Sequence, residues 1–159
     1  MSNANAPASV RAVKYAVLVL ISVIGLGFAA SPAVGATPTA YRAQATAICK
    51  AASTKLKTLT PPTTPDEVAR FLKQSNPIFR SLRAALKRLS PPKALRVLHA
   101  RALDLEQQQI DGIQDLIETI DGGADPSKAY KAVDARLTKV GNAEGATWRK
   151  LLIPACANL

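Results

Sequence analysis

Apolar residues recur along this chain in steps of three and four, the period of helices that lay one face on a core. The first stripe is Tyr41, Ala45, Ile48, Ala52, Leu56 and Leu59, with Cys49 beside it. Thr37 can cap its start and Pro38 suits the first helical position, so a helix is expected over 38–59. A second stripe runs Val68, Phe71, Leu72, Ser75, Ile78, Phe79, Leu82, Leu86 and Leu89. Thr64-Pro65-Asp66-Glu67 opens it as a capping box, with two acids where the helix dipole favours them. Pro77 lacks an N–H and crowds the turn before it, so the helix over 65–89 should kink near 77 or break briefly at Ser75-Asn76. The stripe keeps its phase across Pro77, which favours one bent helix.

The third stripe is Leu95, Leu98, Ala102, Leu105, Ile113, Leu116, Ile117 and Ile120, with Gln109 falling inside it. Ser90 and Pro91 form its expected start and Gly122-Gly123 its end, giving a helix over 91–121. The fourth begins at Asp125-Pro126 and carries Tyr130, Val133, Leu137, Val140, Trp148, Leu151 and Leu152, a helix over 126–152. Gly141 and Gly145 should weaken it by up to about 1 kcal/mol each. Pro154 closes it. Two near-copies punctuate the chain, Leu56-Lys57-Thr58-Leu59-Thr60-Pro61-Pro62 and Leu86-Lys87-Arg88-Leu89-Ser90-Pro91-Pro92. Short connections make consecutive helices antiparallel neighbours. The expected fold class is therefore all-α: an antiparallel up-down-up-down four-helix bundle, a single domain over 37–159.

Residues 1–36 read differently. Arg11 and Lys14 form a basic region, Tyr15 to Ala30 is apolar apart from Ser22, and Val34-Gly35-Ala36 is a small-residue cleavage site. This is the layout of a signal peptide cut after Ala36. The alternative is a membrane anchor made by uncleaved residues 15–30, but an apolar run needs about 20 residues to span a bilayer. The chain has two cysteines, Cys49 and Cys156, and neither sits in a metal-type cluster. An even count behind an export signal reads as one disulfide, with two buried thiols as the alternative. In an up-down bundle the start of helix 1 and the end of helix 4 share a pole, which agrees with that bridge.

Charge adds a partner class. The formal net charge is +10, and removing Arg11 and Lys14 leaves +8 on the rest. Such a balance favours anionic partners. The charges are segregated, with seven acids and no Lys or Arg from Asp104 to Asp125. The turn at Gly122-Gly123 should lay Glu118 near Lys131 and Asp111 near Arg136. Around the second hinge, Arg80, Arg83, Lys87, Arg88, Lys93, Arg96 and Arg101 should gather, with Arg42, Arg149 and Lys150 at the same pole. These seven are the candidate anion-binding residues. The plainer reading is a solvated basic face that aids solubility.

Catalytic chemistry is thin. His99 is the only histidine. It could share a helix face with Glu106, but two ligands make a poor metal site. There is no Glu-x-x-His pair, no Cys-x-x-Cys-His, no phosphate loop and no nucleophile elbow, so no cofactor or metal is expected. Tyr41, Phe71, Phe79, Tyr130 and Trp148 fall on apolar stripes rather than among the basic residues, so no specific nucleic acid is expected either.

Ala47-Ile48-Cys49, the two Leu-x-x-Leu-[Ser/Thr]-Pro-Pro hinges, a proline inside helix 2 and the terminal Ile153-Pro154-Ala155-Cys156-Ala157 together resemble a family of small exported helical proteins of high-GC Gram-positive bacteria. The resemblance covers essentially the whole mature chain. It implies the fold and export, and no mechanism. Relatives often carry glycine just before the final apolar residue, where this chain has Leu152.

The expected function is a non-enzymatic binding module, exported to the cell envelope or medium, that meets an anionic polymer or lipid surface through the basic pole. The alternative is a structural or accessory bundle that binds a protein partner, its basic charge incidental. Gln109 and Glu144 fall near the apolar faces. A polar-lined cavity between helices 3 and 4 is the feature that would most alter this reading.

Overall fold

Each expected helix start carries its own chemical signal, and the caps show which signals act. A computed structural model of the chain describes residues 37–159; the signal peptide expected over 1–36, and the alternative anchor at 15–30, lie outside them. Among the described residues there are five α-helices: α1 (Pro38–Leu56), α2 (Pro65–Lys87), α3 (Arg96–Asp121), α4 (Pro126–Lys150) and α5 (Pro154–Ala157). A 3₁₀ turn at Lys93–Leu95 precedes α3. Thr37 accepts from the Ala40 N–H at 3.2 Å and Asp125 from that of Lys128 at 2.9 Å. Thr64 and Glu67 form the reciprocal capping box.

Several boundaries depart from expectation. Helix 1 stops at Leu56 and not at 59, and helix 2 at Lys87 and not at 89. The two hinges end alike: Leu59 N–H bonds the Leu56 carbonyl and Leu89 N–H the Leu86 carbonyl, both at 3.0 Å. These i→i+3 bonds tighten the chain before the prolines can continue it. Helix 2 runs unbroken through Pro77, so the short break at Ser75-Asn76 does not occur. Helix 3 does not start at Pro91. A residue before proline avoids the helical region, and Pro92 itself is extended at ψ 150°, so α3 begins only at Arg96 and with no side-chain cap.

Helix 4 stops at Lys150, short of the expected 152. Its end is a reversal in which Ile153 N–H reaches the Trp148 carbonyl at 3.0 Å and Leu152 N–H the Arg149 carbonyl at 2.9 Å. That pattern requires a left-handed residue at the turn, and Leu152 takes it at φ 62°. Leu152, expected on the apolar face, is therefore 62% exposed. Glycine there would escape the clash of Cβ with the following carbonyl, offset in part by its greater freedom when unfolded. Leu152→Gly is expected to stabilise the fold by about 1 kcal/mol. Urea unfolding of the two proteins side by side checks this, and an equal or lower midpoint for the variant contradicts it.

The helices form a bundle, with α2 packed on α1 and α3, α3 on α4, and the short α5 on both α1 and α4. Partners run in opposite order along α2 and α3. Lys73 pairs with Asp121, Asn76 with Gln114, and Arg83 with the Leu103 carbonyl. Along α3 and α4, Asp115 pairs with Arg136 and Gln109 with Glu144. The expected Asp111–Arg136 pair thus forms one turn away, at Asp115, and Glu118 accepts from Gln114. These ion pairs are exposed and contribute only about 0–1 kcal/mol each.

The core is built on Tyr41, Ala45, Cys49 and Ala52 of α1, Leu82 and Leu86 of α2, Ala102 of α3, and Trp148, Leu151, Ile153 and Cys156 towards the C-terminus. Cys49 therefore lies on the buried stripe, while Ile48 is only half-buried. Cys49 and Cys156 form a disulfide with Cα atoms 5.1 Å apart. Tyr130, placed on the helix 4 stripe, is 43% exposed; its neighbour Ala129 is buried instead. Gly145 does more than weaken α4, because a Cβ there would stand 3.0 Å from the Ala157 carbonyl. The missing side chain lets α5 dock, and α5 carries Cys156 to Cys49. Among the described residues no helix is long and apolar enough to cross a membrane.

Candidate functional site

Two places can carry chemistry: the basic residues of α2 and α3, and a cavity lined by α2, α3, α4 and the C-terminal residues. The seven basic residues differ in what holds them. Arg80, Arg83 and Lys87 line a shallow groove between α2 and α3 together with Asp111. Arg80 donates to Gln114 Oε1 at 3.0 Å, and Arg83 Nε to the Leu103 carbonyl at 3.1 Å, so both are already held by the fold. Arg101 pairs with Asp104 at 3.4 Å. Arg88, Lys93 and Arg96 sit at the connection from α2 to α3 and are exposed. None of the ion pairs among the described residues includes Lys87, Arg88, Lys93 or Arg96. Arg42 lies elsewhere in role, since its Nε donates to the Leu151 carbonyl at 2.9 Å and ties α1 to the end of α4.

The cavity measures about 250 Å³. Glu106 and Gln109 of α3 and Glu144 of α4 line it, and Phe79, Ile110 and Ile113 supply apolar wall. Cys156, Ala157 and Leu159 close its C-terminal side. Asn142 and Leu159 are exposed, so the cavity reaches the surface there. Gln109 Nε2 donates to Glu144 Oε2 at 2.6 Å, and Trp148 Nε1 donates to Glu144 Oε1 at 3.1 Å. Both oxygens of Glu144 are thus occupied once, and its carboxyl is fixed in place.

Glu106 is in a different state. Its residue is 3% exposed, and neither carboxyl oxygen has a hydrogen-bond partner among the described residues. Burial, with the Glu144 carboxylate adding to it, pushes its pKa up to about 8, against a smaller opposing pull from Arg83. Burial likewise raises Glu144 to about 7, although the bonds from Trp148 and Gln109 oppose the rise. A buried group normally finds a partner, and one left without is costly unless something else supplies it.

A second polar string runs through the core beside the cavity. The Tyr41 hydroxyl and His99 Nδ1 share a hydrogen bond of 2.8 Å, and the His99 ring meets Trp148 edge-on. Burial lowers the pKa of His99 and raises that of Tyr41 to about 12, so both stay neutral. His99 and Glu106 are both buried, and Nδ1 of His99 is bound to Tyr41. Among the described residues no group of three or more His, Cys, Asp or Glu side chains is placed to hold a metal ion.

In the sequence Glu106 is one of the seven acids from Asp104 to Asp125, placed with His99 on a possible common helix face. A better signal was present: His99, Ala102, Glu106, Ile110, Ile113 and Ile117 step by three and four, so Glu106 stands on the same stripe as the isoleucines. In comparisons with known proteins, the chain matches no family model, no curated protein and no solved structure.

Proposed function

We propose that this protein is an exported, non-enzymatic binding module of the cell envelope or medium, folded as an up-down-up-down four-helix bundle, that meets an anionic polymer or lipid surface. Its contact residues are Lys87, Arg88, Lys93 and Arg96, at the end of α2 and the start of α3. The observation that carries this is their shared exposure at one connection with no ion pair among the described residues to neutralise them. Arg80, Arg83 and Arg101 belong to the same half of the sequence but serve the fold or pair with acids, so they contribute background charge. The disulfide supports an extracytoplasmic location, because such bonds persist in oxidising compartments. The opposed order of partners along α2, α3 and α4 supports the alternating topology.

The test is sedimentation with phosphatidylglycerol vesicles and with a soluble polyanion, at low and high salt. Binding should be strong at low salt and lost at high salt. Each basic residue near an anionic surface contributes on the order of 1 kcal/mol, so reversing Lys87, Arg88 and Lys93 to Glu should weaken binding by roughly a hundredfold or more. All three side chains are exposed, so the variant should unfold at the same midpoint as the parent. Equal binding by the reversed variant would leave a bundle that binds a protein partner, its charge serving solubility alone.

A further inference from the structure

The basic face does not account for the cavity between α3, α4 and α5. We infer that this cavity is a binding site for a small primary organic ammonium ion, held by Glu106 and Glu144 with its hydrocarbon body against Phe79, Ile110 and Ile113. The inference rests on what each wall can offer. Glu106 is buried, both of its oxygens lack a partner, and the residue is one of those that line the cavity. Once Glu106 has lost its proton its oxygens only accept hydrogen bonds, so an occupant of the ionised site must donate. Two carboxyls facing one space favour a positive occupant over a neutral one. Apart from Gln109 and Asn142 the other side chains on the wall, Phe79, Leu82, Ile110 and Ile113 among them, are apolar and give a short alkyl chain something to lie against.

A bare metal ion fits less well. Calcium takes six or more oxygen ligands, and magnesium keeps an octahedral shell of waters. Here the charged donors are two carboxyls, one of them already fixed by Gln109 and Trp148. An –NH₃⁺ group has three donors and no such coordination demand. It can satisfy Glu106 with one or two bonds and reach Glu144 with another. The volume of about 250 Å³ admits an amine of a few carbons with room for water at the mouth.

Proton linkage follows from the site's charges. The groups facing Glu106 are Glu144 from α4 and Arg83 from α2. With its pKa pushed up to about 8, Glu106 is largely protonated at neutral pH, so a bound ammonium must displace that proton. Affinity should therefore rise with pH, by up to about tenfold per unit below that value.

Trp148 is the only tryptophan, and its indole N–H is bonded to Glu144, so its fluorescence reports on the site. The purified protein is titrated with n-butylammonium chloride at mildly alkaline pH, with n-butanol and with calcium, magnesium and zinc chlorides as controls. A saturable change with n-butylammonium, absent with n-butanol, supports the site. Glu106→Gln keeps the shape, removes the charge and should weaken binding by about tenfold or more. Ile113→Phe should weaken it by filling the cavity, which guards against a fold defect peculiar to the first variant. No saturable response overturns the inference. So does an equal response to n-butanol, an unchanged affinity in Glu106→Gln, or tighter Glu106-dependent binding of any of the three metal ions.

Discussion

Reducing the Cys49–Cys156 bond should cost about 4–5 kcal/mol of stability, since the loop it closes is roughly a hundred residues long. The two sulfurs are separated by 107 positions, and both cysteines are buried in the core, at 0% and 3% exposure. The bond acts first on the unfolded chain, whose freedom it restricts. It acts again on the native state, where it anchors a helix of four residues, too short to persist unaided. A domain of this kind has about 5–15 kcal/mol in all, so the reduced protein should be marginal. Guanidinium unfolding with and without reductant measures the loss, and a Cys49→Ala/Cys156→Ala chain should reproduce it. A loss below about 1 kcal/mol in both would mean that α5 is held by packing alone.

The protein should also lose stability as the solution turns alkaline, and Glu106 should be the cause. Its pKa in the fold is about 8, against an ordinary value of 4.5. The folded state therefore binds a proton that the unfolded state releases between those values. A raised carboxyl contributes stability fully present below the unfolded value, lost progressively as pH climbs through the folded one. Glu144, raised to about 7, acts in the same direction. His99 acts in the opposite direction, because its lowered pKa takes stability away as the solution becomes acid. The clean readout is therefore a difference. Glu106→Gln should gain on the parent by roughly 2–4 kcal/mol between mildly acid and mildly alkaline solution. Denaturant midpoints of both proteins across that range, followed by Trp148 fluorescence, give the number. Parallel curves would show that Glu106 ionises as freely in the fold as outside it.

Much of the architecture could be read from local chemistry. Thr37, Thr64 and Asp125 each announce a helix by a short-range interaction, a hydroxyl or carboxylate three residues before an orphan N–H. The cysteine pair was readable for another reason: an even count and the expected signal peptide restrict the options. Ser90 misled because two successive prolines override a cap by steric exclusion, which a cap-by-cap reading does not weigh. Tyr130 and Leu152 misled because aromatic and aliphatic type was taken for burial. The exposure of Tyr130 depends on how α4 packs on its neighbours, and that of Leu152 on the left-handed reversal just beyond α4. At Gly112 a Cβ would stand 2.7 Å from the Leu137 side chain, a contact no single-helix pattern contains.

The cavity was legible only as a question. Gln109 and Glu144 could be placed near apolar faces, but they are 35 positions apart and their bond depends on the register between α3 and α4. Glu106 hid among other acids because charge, unlike burial, is visible in a sequence. The basic residues show the converse. Their clustering along the chain is plain, yet Arg80 and Arg83 spend their guanidinium groups on the fold, which only the positions of Gln114 and the Leu103 carbonyl reveal.

The sulfur link has a consequence for life among proteases. It turns residues 49 to 156 into one covalent ring, and the four connections at 57–64, 88–95, 122–125 and 151–153 all lie inside it. An enzyme that nicks any one of them opens the ring but severs nothing: the cut ends stay strung on the same molecule, pressed together by the same core. Wear at the loops would leave such a protein scarred and still assembled.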